Sequence, residues 1–142
     1  MQTIGVRAAL LGVVMLVGLC GTANAGAGAG AGAERLSGQF SQCRQMAKGA
    51  IEHSACLAEE AQRQDERLNQ LYRQLQASLQ GKPRSRLVAA QRAWLTSRER
   101  DGALDSTLGE AGQIGNLQGG LDDLLRVAAR GDQLQAWLDR LE

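Results

Sequence analysis

The chain has 142 residues, and its 16 Lys and Arg nearly balance its 15 Asp and Glu, which gives a formal net charge of +1. This balance excludes a strongly basic or strongly acidic chain, so we predict no nucleic-acid partner and no strong attraction to a membrane surface. The length suits a single domain with a modest core.

An export signal is predicted at the N-terminus. Arg7 precedes a short apolar run, 8–19, and the sequence Ala-Asn-Ala follows at 23–25. A basic start, an apolar centre and an Ala-x-Ala end are typical of a secretory signal peptide, here cleaved after Ala25. The run is shorter than the roughly 20 residues of a transmembrane helix, which disfavours the alternative of an uncleaved anchor. Cys20 falls within the removed peptide, and we expect a periplasmic or secreted protein without a stable membrane anchor.

The segment 26–35 is rich in Gly and Ala. Such a sequence has few side chains to bury and much backbone entropy to lose on folding, so we predict a flexible segment. The folded domain is predicted to extend from 36 to 142.

Two cysteines remain in the exported chain, Cys43 and Cys56. Because exported proteins fold in oxidising compartments, this even pair predicts a disulfide. The bond would close a loop of about 14 residues and stabilise the fold by about 3 kcal/mol. A redox-active pair is disfavoured because the spacing is not Cys-x-x-Cys. His53 lies nearby, but two sulfurs and one imidazole in an oxidising compartment make a poor zinc site, so we expect no metal.

The rest of the chain has helical periodicity, and no stretch alternates apolar and polar residues over the length of a strand. Helices are predicted at Leu36–Gly49, Ser54–Leu79, Pro83–Leu104 and Leu121–Leu141. Ser54 is expected to cap the second helix, with Glu59 and Glu60 near its positive end. The short connection around Gly81 makes the second and third helices antiparallel neighbours.

The five glycines from Gly109 to Gly120 predict a loop, and Gly131 is expected to weaken or kink the last helix. The predicted fold class is all-α. It is a small antiparallel bundle or hairpin, clamped by one disulfide, with a further C-terminal helix.

Six polar and aromatic residues share two facing helix surfaces: Asp65, Asn69, Tyr72, Gln91, Trp94 and Arg98. We interpret them as an interhelical polar network around Trp94 that fixes the pairing of the helices. The alternative is an exposed face that binds a partner. The carboxylates are scattered and no histidine base is paired with a Ser or Cys nucleophile. We therefore expect neither an enzyme nor a cofactor.

Several of these residues form part of a longer pattern: Cys43, Cys56-Leu57, Asp65, Leu68-Asn69, Tyr72, Leu75, Ala90-Gln91-Arg92, Trp94 and Arg98-Glu99. The pattern resembles that of the LprI-type lysozyme inhibitors, a family of small secreted bacterial proteins, in which an Asp stands at the place of Glu99. The resemblance covers about Gln42 to Glu99, with a weaker similarity up to Leu125. It implies a protein that binds a protein partner, lysozyme, and occludes its site.

Members of that family often carry a second cysteine pair, and the resemblance places it at Gly102 and Gly120 in this chain. The C-terminal part, from about 102, is therefore expected to diverge from the family and to be less constrained.

A structural role is the alternative function. Leucines at helical spacing between Leu121 and Leu141 could dock on another envelope protein, which would make the chain a helical adaptor without inhibitory activity. The sequence leaves the partner and the oligomeric state open.

Overall fold

The computed structural model describes residues 35–109 and 112–141, and every regular element in these ranges is an α-helix. The helices are α1 (Gly38–Met46), α2 (Ala50–Ser78), α3 (Gly81–Leu108) and α4 (Gln113–Leu138). The predicted all-α class is confirmed. The predicted signal peptide and nearly all of the glycine- and alanine-rich segment lie outside the described residues.

The short helix α1 is fastened to α2 by the predicted disulfide, which joins Cys43 to Cys56 with their Cα atoms 5.8 Å apart. Ser37 caps the helix, because its hydroxyl accepts a hydrogen bond from the backbone N–H of Phe40 (3.1 Å). Phe40 in turn is buried against Cys56. The predicted disulfide clamp is therefore present.

Helix α2 begins four residues before the predicted cap, and Ser54 is an exposed residue within it. Glu52 lies in the first turn, where a carboxylate is favoured by the helix dipole, and it accepts a hydrogen bond from the backbone N–H of Lys48 (2.6 Å). The prediction that the helix starts at Ser54 was wrong, because the acidic residue in its first turn stabilises a start nearer the N-terminus.

Helix α2 packs mainly against α4, and the two helices run parallel. Leu57 lies beside Gly120, and further along both helices Arg67 contacts Asp132 (2.9 Å). Apolar residues on one face of α4 fill this interface: Leu124, Val127, Ala128 and Leu134. The C-terminal helix is thus a central element of the bundle.

Helix α3 runs antiparallel to α2, as predicted, but it packs less closely on α2 than α4 does. Asp65 of α2 faces Arg98 of α3, whereas Leu75, later in α2, shares a core cluster with Leu87, earlier in α3. Only Leu87 and Gln91 of α3 are buried. Leu95, Leu104 and Leu108 of α3 are 49%, 56% and 75% exposed, so this helix contributes less to the core.

The loop predicted in the C-terminal region was wrong. Helix α4 begins at Gln113, so most of the predicted loop is helical despite its glycines. The helix is also continuous through Gly131, which is buried, and a Cβ at that position would lie 3.0 Å from Nη1 of Arg67. Packing against α2 therefore outweighs the low helix propensity of glycine, and Gly131 provides room for an arginine from the neighbouring helix.

None of the helices in the described part of the chain combines the length and the apolar character needed to cross a membrane.

Candidate functional site

The six residues predicted to face one another line a single shallow groove between α2 and α3, with a volume of about 340 Å³. They meet because α2 and α3 lie side by side in antiparallel orientation. Residues three or four positions apart on one helix therefore lie opposite the matching residues of the other helix. Asn69 is exposed, Gln91 is buried, and Trp94 and Arg98 are half-buried. Tyr72 accepts a hydrogen bond at its hydroxyl from Nε2 of Gln76 (3.1 Å).

Arg98 connects the groove to both neighbouring helices. Its Nε and Nη2 donate to the two carboxylate oxygens of Asp123 on α4, at 2.8 and 2.7 Å, and its Nη1 lies 3.6 Å from Asp65 on α2. Its guanidinium also lies 5.7 Å from the ring centroid of Trp94. The hydrogen bond between the two side chains lowers the pKa of Asp123 and raises that of Arg98, because it favours both charged forms.

Arg130 of α4 is the second arginine at this site, and the sequence analysis missed it. Its side chain lies between two tryptophans, 5.7 Å from the ring centroid of Trp94 and 5.1 Å from that of Trp137. Nε donates to Oε1 of Gln91 (3.0 Å), and Nη1 donates to Oε1 of Gln133. The residue is only 7% exposed, and this desolvation lowers its pKa.

The signal for Arg130 was present in the sequence. Val127, Arg130 and Leu134 are three and four residues apart, so the arginine interrupts the apolar stripe of a helix. A charged side chain on such a stripe needs a partner inside the fold. The partner Gln91 lies in a different helix, 39 positions away, which is why periodicity alone did not find it.

A separate polar cluster surrounds Glu60, which is fully buried (0% exposed). Its carboxylate accepts hydrogen bonds from the backbone N–H and hydroxyl of Ser37 (2.8 and 2.6 Å), from Gln64 (2.8 Å) and from Arg63 (2.8 Å). Burial raises the pKa of Glu60, but these hydrogen bonds together outweigh burial and the pKa is lowered. Because α2 begins early, Glu60 lies well inside the helix and not at its positive end.

His53 is half-buried and lines a cavity of about 450 Å³ with residues that include Phe40, Arg44 and Leu121. Within 35–109 and 112–141, no group of three or more His, Cys, Asp and Glu residues is arranged to hold a metal ion.

The fold and these contacts define a small disulfide-linked helical domain whose central charged residues cross-link its helices. The chain matches the lysozyme inhibitor LprI family over residues 41–138, from α1 to the end of α4, and it belongs to that family. The match is longer than the stretch from Gln42 to Glu99 that carries the sequence pattern. This is a family of inhibitors and not of enzymes. No curated protein and no solved structure matches the chain.

Gly102 and Gly120, where the resemblance places a second cysteine pair, line the same cavity of about 900 Å³ at the turn between α3 and α4. A Cβ at Gly102 would meet no atom within 4 Å, and one at Gly120 would make an ordinary contact of 3.6 Å with Leu57. Both positions therefore have room for a side chain.

Proposed function

We propose that this protein is exported to the periplasm or beyond and inhibits a lysozyme by occupying its substrate cleft. The observation that carries the proposal is the family match across the whole helical body, 41–138. The Cys43–Cys56 disulfide supports export, because such bonds persist in oxidising compartments.

Inhibition by contact requires a surface that changes little on binding, because an ordered surface loses less entropy when it docks. Covalent and ionic cross-links hold this bundle at several places. The disulfide joins α1 to α2, the Arg67–Asp132 pair joins α2 to α4, and the Arg98–Asp123 pair joins α3 to α4. We infer that these links keep the docking surface in one conformation.

The Trp94 groove has, in this proposal, a structural role. The polar atoms of Arg98 and Gln91 form hydrogen bonds with residues of α4. The ring of Trp94 lies near two guanidinium groups, that of Arg98 on α3 and that of Arg130 on α4. The exposed Asn69 tests this assignment, because Asn69→Ala should leave inhibition unchanged if the groove only positions helices. A marked loss of inhibition in a folded Asn69→Ala protein would instead make the groove a binding face.

The direct experiment is a lysis assay in which purified protein is titrated against lysozymes of the c, g and i types acting on bacterial cell walls. We expect a saturable loss of lysis with at least one type. A protein with both Cys43 and Cys56 replaced by Ser serves as a control for the fold. No inhibition of any type at a large molar excess would contradict the proposal.

Export has its own measurement, which is N-terminal sequencing of the protein recovered from periplasm and medium. A mature chain that begins at Gly26 is expected from the predicted cleavage after Ala25. Recovery of the intact leader on a membrane-bound protein would contradict this part of the proposal.

The adaptor alternative loses most of the observation that motivated it, although Leu141 is 49% exposed. The leucines of α4 that could have docked on another protein are used within this chain, where Leu124 and Leu134 are among the most buried side chains. If light scattering gives the mass of a monomer, the result agrees with inhibition by single molecules. If it gives the mass of a stable oligomer, the result favours the adaptor role.

A further inference from the structure

Charge is unevenly distributed along this nearly neutral chain. Residues 67–98 contain seven Lys and Arg and no Asp or Glu. The seven are Arg67, Arg73, Lys82, Arg84, Arg86, Arg92 and Arg98. Because α2 and α3 form an antiparallel pair joined at Leu79 and Gln80, the middle of this segment lies at one end of the bundle.

Beyond Leu79, which packs on the core, the turn between α2 and α3 and the first residues of α3 lie at the surface. Every residue from Gln80 to Arg86 is exposed, and we call this segment the hairpin tip. A helix that packs on a core buries a side chain every three or four positions. Seven consecutive exposed residues therefore indicate that the first turns of α3 contact no other part of the described structure closely.

The three cations of the hairpin tip, Lys82, Arg84 and Arg86, form no salt bridge with any described residue. The first turn of α3 also contains no acidic residue. Cations at the N-terminus of a helix oppose its dipole and are locally destabilising. Folding therefore gives no reason for these residues, and an arrangement that breaks a local rule without structural gain is expected at functional surfaces.

We propose that the hairpin tip is the surface that enters the lysozyme cleft, with its three cations directed at the carboxylates there. This inference rests on the proposed function. Hydrolysis of a glycoside uses a pair of carboxyl groups on either side of the scissile bond. Arginine binds a carboxylate through two parallel, charge-assisted hydrogen bonds, and lysine adds a point charge.

The hairpin tip is also ordered before it binds. Only Leu79 and Gln80 connect the two helices, Gly81 adopts the left-handed φ of +57°, and Pro83 lies in the first turn with its own φ fixed by the ring. A pre-ordered tip loses little conformational entropy on docking. The carboxylates of a muramidase cleft are thus matched in charge by an exposed, pre-ordered hairpin tip.

The test compares two triple variants with the same change in net charge. The tip variant carries Lys82→Gln, Arg84→Gln and Arg86→Gln, and the control carries Lys48→Gln, Arg92→Gln and Arg100→Gln, which replace exposed cations elsewhere. The inhibition constant of the tip variant should rise about tenfold or more, because its contacts with the carboxylates are lost. The control should stay within about threefold of the original protein. Thermal unfolding monitored by circular dichroism checks that both variants remain folded.

A conservative variant separates charge from bulk. Lys82→Arg, Arg84→Lys and Arg86→Lys together keep all three charges and should retain most of the inhibition. Inhibition by the original protein should also weaken when salt is raised from 50 to 200 mM, since exposed charges are screened.

The outcomes distinguish the two proposals. If the original protein inhibits no lysozyme, the proposed function fails and this inference fails with it. If the tip variant inhibits as well as the original, or if both triple variants weaken equally, this inference alone is overturned. If the tip is required for binding to phosphatidylglycerol vesicles but not for inhibition, the tip serves a membrane surface and the inference is also overturned.

Discussion

The two turns at one end of this bundle are held together in different ways. Where α1 meets α2, a disulfide, the buried Phe40 and the four hydrogen-bond donors around Glu60 fix the chain. Where α3 meets α4, glycines line a wide cavity, and Leu108 and Ile114 are 75% and 73% exposed. The first turn is held by a covalent bond and a buried carboxylate cluster, whereas the specific link nearest the second is the ion pair between Asp105 of α3 and Arg126 of α4 (2.6 Å).

This difference shows where the fold concentrates its stability. The two turns are neighbours, since His53 and Leu57 of α2 line a cavity with Ile114 and Leu117 of α4. A turn whose helices bury few apolar side chains needs a cross-link to be rigid. Among the described residues only the α1–α2 turn has a covalent cross-link, and the resemblance places the family's second one at the other turn.

The largest effect is expected from removing the buried carboxylate with Glu60→Ala. The variant leaves Ser37, Gln64 and Arg63 without their shared acceptor, so the free energy of unfolding should fall by about 3–5 kcal/mol. Urea unfolding measures the change. Glu59→Ala, at an exposed position one residue away, is the matched control and should change it by less than about 0.5 kcal/mol. Equal effects of the two variants would mean that the cluster does not stabilise the turn.

Replacing both Cys43 and Cys56 with Ser should lower the free energy of unfolding by about 3 kcal/mol, because the unfolded chain regains the entropy of the open loop. Urea unfolding with and without reductant provides the measurement. In the original protein, reductant should reproduce the loss, whereas the double variant should not respond. Hydrogen exchange should quicken first in α1, and uniform quickening through α4 would contradict the view of two independently held turns.

A disulfide introduced at the α3–α4 turn should fix that turn covalently, as the Cys43–Cys56 bond fixes the α1–α2 turn. Gly102→Cys and Gly120→Cys together should form a disulfide, since both positions line one cavity and both have room for a Cβ. We expect a gain of about 2 kcal/mol in unfolding free energy, below the entropic limit because engineered bonds carry some strain. Thiol titration and urea unfolding under oxidising conditions test it. Two free thiols in the folded variant would show that the positions do not face each other.

The smallest effect is the pH dependence at the α1–α2 turn. The pKa of Glu60 is lowered in the fold from its ordinary value of 4.5, so its hydrogen bonds stabilise the protein above that value. This contribution should be lost as the pH falls below about 4.5 and through the folded pKa. Urea unfolding between pH 7 and pH 2.5 should show the decline, and Glu60→Gln should make it shallower. If the dependence of unfolding free energy on pH is unchanged in Glu60→Gln, the acid sensitivity arises from another group. The next carboxylate to test is Asp123, whose pKa is also lowered.

The sequence predicted the elements of the fold better than their boundaries and partners. Within the described residues the number and order of the helices were correct, and so was the antiparallel pairing of α2 with α3. The loop predicted before Gly120 was wrong because the propensity of glycine was weighed without the packing of α4 on α2. At the candidate site, the six predicted residues do line one groove, but the residues that hold Arg98 and Gln91, namely Asp123 and Arg130, were not found.

The sequence by itself determined the helices and the covalent link, since periodicity and a single pair of cysteines are local or pairwise features that need no knowledge of the fold. Only the tertiary structure decided that Glu60 would be buried, that Arg130 would lie between two tryptophans, and that the three cations of the hairpin tip would form no ion pair with any described residue. The physical reason is that burial and ion pairing depend on the relative register of helices distant in sequence. That register is set when α4 docks parallel to α2.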